Sequence, residues 1–367
     1  MSDQRDLGTK DDLMARRGTL HSVLITLGLA GIGVIGLYLL RSFATALLLI
    51  FAGILLAVFL DGITTLASKW LRIPRGFALT LVVLLVLGGS AGFFWLAGPQ
   101  ILRQGQVLGQ KLPQSVALLQ TNLEKSDWGR ALLASLPSLG QLQLSFASIL
   151  GSISQAFSIT IEFLGVLVFI FFIGLYLAAS PESYQRGALL LLSQEHRARG
   201  REVIAALGLA LRWWLLGRAV TMTLMGTLTA LALRLAGVPF ALVLGVIAGL
   251  LLFVPYLGAL VAAVPAVLVG LMESPSKAFW VAVIYTGIHV FEGYCITPFV
   301  QKRAVALPPA LLLSVQILAA TLFGAIGVIF STPLTVVVIV LIQTLYVQNV
   351  LGERVQVLGQ DERDTAD

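Results

Sequence analysis

The feature that most limits what this chain can become is the arrangement of its apolar residues in blocks about twenty long, with the charged residues gathered between them. At about 1.5 Å per residue, one such block spans the roughly 30 Å hydrocarbon layer of a bilayer as a helix. The 367 residues are 58% hydrophobic and 11% charged, whereas a soluble domain carries about 25% charge. So few charges could not cover a core of that apolar mass in water. The chain is therefore read as an all-α polytopic membrane protein with about eight transmembrane helices and the lipid bilayer as its first partner. A net charge of +6 would suggest nucleic acid in a soluble protein, but in a membrane protein it reports Lys and Arg retained on the cytoplasmic side. No nucleic-acid partner is expected. The single cysteine, Cys295, excludes an intrachain disulfide.

Read in order, residues 1–21 form a mixed-charge cytoplasmic tail and 22–98 hold three transmembrane helices, built on the runs 20–40, 43–60 and 76–98. Ala44-Thr45-Ala46 looks like a signal-peptide cleavage site. That reading is rejected because a secretory apolar core is about 7–15 residues, whereas this run is longer and is followed at once by another. Residues 99–151 are read as an extracytoplasmic amphipathic segment, with Leu102, Leu108, Leu112 and Val116 at helical intervals. Residues 152–180 are the fourth helix. Residues 181–218 are a cytoplasmic amphipathic segment carrying six arginines, with Trp213 and Trp214 at an interfacial aromatic belt. Residues 219–349 are a C-terminal transmembrane unit, and 350–367 a cytoplasmic tail. A cytoplasmic N-terminus leaves seven of the 24 Lys and Arg (Arg41, Arg103, Lys111, Lys125, Arg130, Arg234 and Lys277) on the outer side. Both termini are thus expected inside.

Two apolar segments are too long for one crossing: 239–272 would be about 51 Å as a single helix and 308–348 about 61 Å. Pro255, Gly258 and Pro265 interrupt the first, and Gly324, Gly327 and Pro333 the second. Proline removes a backbone donor, and an unpaired amide or carbonyl in hydrocarbon costs several kcal/mol, so such breaks persist only when buried in protein or lining a polar cavity. Each segment is read as a broken or re-entrant helical hairpin. In secondary transporters paired interruptions of this kind form the solute site; a kinked packing helix is the alternative. Leu257-Gly258-Ala259-Leu260 before Pro265 is echoed by Phe323-Gly324-Ala325-Ile326 before Pro333.

Ionisable residues inside the apolar runs are Glu162, His289 and Glu292, the last two on one helix face. Charge at membrane depth is costly, so these are candidates for proton or ion coupling. Two alternatives stay open: Glu292 hydrogen-bonds a broken-helix terminus, and Glu162 lies near enough to the interface to be solvated. With three His and one Cys in the chain, no metal-ligand set is found. Gly88-Gly89-Ser90-Ala91-Gly92 matches a hydrolase signature in form only, because it lies within an apolar helix and not at a strand–turn–helix elbow. The glycines at 88 and 92, and at 245 and 249, are read as close helix-packing faces. No nucleotide-binding loop is present. The chain is read as no enzyme, without cofactor.

Phe253-Val254-Pro255-Tyr256-Leu257-Gly258, Glu292-Gly293-Tyr294, Ile296-Thr297-Pro298, Leu307-Pro308-Pro309, Phe323-Gly324-Ala325-Ile326-Gly327 and Thr332-Pro333-Leu334 form an ordered series that resembles the AI-2E family of transporters. Ile73-Pro74-Arg75-Gly76-Phe77-Ala78 and Trp214-Leu215-Leu216-Gly217 fit it too, while Asp61-Gly62 stands where a proline closing the second span would be expected. The resemblance implies a multi-pass permease of the bacterial inner membrane and a homo-oligomer. It also implies breaks at Pro255–Gly258 and Gly324–Pro333 near a translocation path that includes Tyr256, Pro265, Glu292, Thr297, Pro298 and Gly327. Members are associated with autoinducer-2 export and others with sodium/proton antiport. The expected function is export of a small polar organic solute, autoinducer-2-like, by alternating access. The alternatives are a sodium(lithium)/proton antiporter in which Glu162 or Glu292 cycles its proton, and a membrane scaffold acting through 99–151 and 181–218.

Overall fold

The computed structural model describes residues 43–124, 127, 161–296, 307–348, 350 and 351. The run 20–40, the N-terminal tail, nearly all of the C-terminal tail, residues 128–160 and the pair Thr297 and Pro298 lie outside the described residues. The chain divides into two compact units, 1–50 and 51–367. Residues 43–50 of the first are helical, and the packing that follows is that of the second.

The described residues contain helices and no strand, as expected of an all-α membrane protein. In chain order the α-helices are α1 (Phe43–Leu71), α2 (Arg75–Glu124), α3 (Ile161–Ala179), α4 (Pro181–Leu190), α5 (Arg197–Leu235), α6 (Ala241–Leu251), α7 (Leu257–Glu273), α8 (Pro275–Phe291) and α9 (Pro309–Leu341). Among the described residues five stretches are long and apolar enough to cross a membrane, or six if α3 and α4, bent by 89° at Ser180-Pro181, are counted together as one broken span. Local chemistry sets the ends. Ser274 Oγ accepts from the Lys277 amide at 3.1 Å and Pro275 takes the first helical position, which starts α8. Gly237, at φ 65°, closes α5 in the left-handed conformation, with the Val238 amide returned to the Leu233 carbonyl.

The composition changes at 98/99 and 218/219 do not coincide with helix ends. Both fall inside continuous helices, α2 and α5, because a polar face changes the surroundings of a helix without stopping its hydrogen-bond ladder. Ile101 and Leu108, beyond the expected boundary, are buried against α6, α7 and α8. Trp214 does not face outward as a belt residue would: it is 7% exposed and packs edge-on to Phe253 at 5.6 Å, because its face of α5 turns toward α1 and α9.

Glycines bring helices into backbone contact where they cross. A Cβ at Gly245 would lie 2.7 Å from the Gly226 carbonyl oxygen, and one at Gly249 would lie 2.8 Å from that of Met222, which locks α6 onto α5. The close packing expected at Gly245 and Gly249 is thus present, while Gly88 and Gly92 meet nothing within 4 Å among the described residues.

The two overlong segments each double back. The first is α6, five linking residues and α7; at about 17 Å and 26 Å, neither arm alone reaches across the roughly 30 Å hydrocarbon layer. In the second, Gly324 has φ 64° and ψ −147° inside α9. Gly327 lies so close to the Ala319 carbonyl that a Cβ would overlap it. Eight residues of straight helix would separate these two by about 12 Å, so the chain turns back at Gly324. Gly258 lies in the same way against the Leu251 carbonyl. Pro265 and Pro333, expected among the breaks, are instead buried inside continuous helix.

Candidate functional site at a strained helix break

Between α6 and α7 the chain makes a tight reversal at Pro255-Tyr256-Leu257. Tyr256 has φ 61° and ψ −61°, and the Leu257 amide donates to the Pro255 carbonyl at 2.7 Å. This is the γ-turn of positive φ, a rare and strained conformation for a residue bearing a Cβ. Such strain costs about 1–3 kcal/mol and persists where the surroundings hold it. Trp214 pins Phe253 on one side, and the absent Cβ of Gly258 lets α7 start against Leu251.

Side chains from two other helices reach the carbonyls of this break. Arg218, on α5, donates from Nε to the Phe253 oxygen at 3.4 Å. Gln316, on the first arm of α9, donates from Nε2 to the Pro255 oxygen at 3.0 Å, which ties the second hairpin to the turn of the first. Gln316 is completely buried. Among the described residues, each of these side chains keeps one buried polar atom without a hydrogen-bond partner: Nη2 of Arg218, a donor, and Oε1 of Gln316, an acceptor. Unpaired buried groups are costly and uncommon.

Glu292 and Tyr256 lie within electrostatic reach of Arg218. Glu292 Oε2 lies 2.9 Å from His289 Nδ1, with the two side chains 16% and 28% exposed. It opens the π-helical turn Glu292–Ile296 at the end of α8, a geometry frequent at functional sites. Met225, Leu252, Ile288 and Ile296 form the apolar packing shared by α5, the break and α8. The neighbourhood therefore offers a guanidinium donor, an amide acceptor, a carboxylate and a tyrosine hydroxyl within an apolar frame.

Of the residues singled out from sequence, Pro255, Tyr256, Gly258, His289 and Glu292 fall at or beside this break. Gly324 and Gly327 build the other reversal, eight and eleven residues beyond Gln316. Thr297, Pro298 and the side chain of Glu162 lie outside the described residues. Arg218 and Gln316 were missed. The first was one of six arginines counted for orientation; the second is the lone amide in the apolar run 309–342, and that isolation was the available signal. Asp61, noted as a departure from the expected proline, sits inside α1, with Oδ1 2.5 Å from Arg75 Nη2 and Oδ2 paired with Arg212.

The sequence pattern of the family described as AI-2E family transporter matches residues 26–347. The "Putative transport protein YueF" of Bacillus subtilis is 26% identical over 302 residues, covering 79% of this chain and 81% of that protein. The "Putative transport protein YrrI" of the same organism is 23% identical over 298 residues, 78% and 84% of the two chains. The "Putative transport protein YhhT" of Escherichia coli is 30% identical over 111 residues, 30% and 32%. The family match runs through every described helix, including both hairpins and the strained break between α6 and α7, and the chain belongs to the AI-2E family of membrane transporters.

Proposed function

We propose that this membrane transporter exports a small polar organic solute, of the autoinducer-2 type, by alternating access, and that the break between α6 and α7 is where the solute is held. The observation that carries the reading is the pair of unspent buried groups at the break, Arg218 Nη2 and Gln316 Oε1. A solute bearing one acceptor and one donor, such as a hydroxylated carbonyl compound, would satisfy both and recover their desolvation cost. The strained γ-turn at Tyr256 and the Gln316–Pro255 bond supply a joint at which one hairpin can shift against the other. The short arms of α6 and α7 support a re-entrant first hairpin. Pro255, Tyr256, Gly258, Glu292 and Gln316 are assigned to the path on this reading, with both termini cytoplasmic in the bacterial inner membrane and the protein a homo-oligomer.

The test is reconstitution. Metabolite profiling of cells with and without the gene selects candidates, and purified protein in liposomes is assayed for their movement under imposed gradients. Expected are saturable flux in the native protein and its loss in Arg218→Gln and Glu292→Gln variants that still purify as folded protein. If no solute or ion moves under any gradient, or both variants transport normally, the reading is wrong.

The partly buried His289–Glu292 pair favours a second reading, cation/proton antiport with Glu292 cycling its proton. Proton movement across the vesicle membrane on addition of Na⁺ or Li⁺, abolished by Glu292→Gln, would select it.

A further inference from the structure

A separate cavity of about 360 Å³ lies where α1, α3, α4 and α5 meet, at the 89° elbow between α3 and α4. That volume is in the range of about 300–1,000 Å³ typical of ligand pockets. Its lining is segregated. On α1 the contributing residues run from Phe51 and Ile54 to Asp61, and on α5 from Ile204 and Leu207 to Arg212, so on both helices apolar residues come first and the charged one last.

At the charged end one carboxylate serves two guanidiniums. Asp61 is bridged by Arg75 and Arg212, which leaves an excess positive charge. Their side chains are 46% and 28% exposed, open enough for a further anion to reach. The stem of Arg212 lies over Gly62, where a Cβ would come within 2.9 Å of it, and among the described residues its Nε has no hydrogen-bond partner. A largely apolar cavity that ends at two guanidiniums sharing one carboxylate is complementary to an amphiphile with an anionic head.

We propose that this cavity binds an anionic phospholipid of the surrounding bilayer, with an acyl chain against the walls of α1 and α5 and the phosphate beside Arg75 and Arg212. The site is separate from the break between α6 and α7 and does not depend on the identity of the transported solute.

Gly208 supplies a clean test. It lines the cavity, and a Cβ there would meet nothing within 4 Å among the described residues, so Gly208→Leu places its side chain in the cavity, while Gly208→Ala controls for the loss of glycine from a helix. The full-length protein in neutral detergent is titrated separately with phosphatidylglycerol, phosphatidylcholine and palmitate and examined by native mass spectrometry. Expected is retention of phosphatidylglycerol at least about tenfold stronger than phosphatidylcholine, the worth of one charge-assisted hydrogen bond. Gly208→Leu and Arg212→Gln should lose that preference and Gly208→Ala should keep it. A melting midpoint raised by phosphatidylglycerol in the native protein, and unmoved in a folded Gly208→Leu protein, would agree. Equal retention of both phospholipids, displacement of phosphatidylglycerol by equimolar palmitate, or undiminished retention by Gly208→Leu would each overturn the proposal.

Discussion

Replacing Gln316 by leucine separates stability from transport, because what the side chain contributes to each can be worked out atom by atom. Gln316 is fully buried; its Nε2 bonds the Pro255 oxygen at 3.0 Å and its Oε1 has no partner among the described residues. Leucine has a similar volume and no polar atom. The substitution removes one hydrogen bond between helices, worth about 0.6 kcal/mol on average in a transmembrane bundle. The Pro255 carbonyl is not orphaned, since the Leu257 amide still donates to it at 2.7 Å. In exchange the variant no longer buries an unpaired amide oxygen, a penalty of about 1–3 kcal/mol. The gain exceeds the loss, so Gln316→Leu should be more stable than the native protein by about 0.5–2 kcal/mol, while solute transport falls because the acceptor and the tie to the turn are gone. Reversible unfolding in mixed micelles of increasing sodium dodecyl sulfate measures the first quantity and flux in liposomes the second. Destabilisation of more than about 1 kcal/mol would show that Oε1 is satisfied in the folded protein. Undiminished flux would show that the side chain has no part in transport.

Other substitutions follow from the same geometry. Gly258→Ala and Gly327→Ala place a Cβ inside the Leu251 and Ala319 carbonyls and should cost about 3 kcal/mol or more; Gly287→Ala, in open space on α8, should stabilise by about 0.5–1 kcal/mol. Melting curves in detergent decide the ordering. Tyr256→Gly relieves a strained γ-turn worth about 1–3 kcal/mol against a glycine entropy cost of about 0.5–1 kcal/mol. Its melting midpoint should therefore rise while flux falls, and a lower midpoint would refute the strain. Arg75→Gln, at a half-exposed partner of Asp61, should cost under about 1 kcal/mol. Arg212→Gln, at the more buried partner, should cost about 1–3 kcal/mol, so the reverse order in unfolding titrations would show Arg75 to be the main partner.

The membrane fold was legible because its signal is bulk. Blocks of apolar residues long enough to span hydrocarbon announce helices, and Pro or Gly inside an overlong block announces a break, whatever the neighbours are. Boundaries argued from composition were less legible. Residues 99–124 and 197–218 change in polarity, yet α2 and α5 run straight through, since polarity reports what surrounds a helix and not whether its ladder continues. Proline was also read too strongly: Pro265 and Pro333 sit inside helices whose neighbours bury them. The reversals are made by Tyr256 and Gly324 and are sealed by Gly258 and Gly327.

The echo between Leu257-Gly258-Ala259 and Phe323-Gly324-Ala325 shows why a short motif misleads about a site. It aligns Gly258 with Gly324, but the residue that does for α9 what Gly258 does for α7 is Gly327, each lying against a carbonyl of the preceding arm. Gly324 instead takes the backbone angles of the turn, the task that falls to Tyr256 in the first hairpin. Glycine performs that task without strain and tyrosine does not, so the first hairpin holds strain at its turn that the second lacks. The supports of that strained turn come from elsewhere in the chain, Arg218 on α5 and Gln316 on α9. In sequence they are an arginine among arginines and a single amide in an apolar run, 35 residues before and 61 residues after the carbonyls they hold. Only the fold makes them neighbours, and their buried atoms without a partner among the described residues, Nη2 and Oε1, are what sets this break apart from a kink that merely packs.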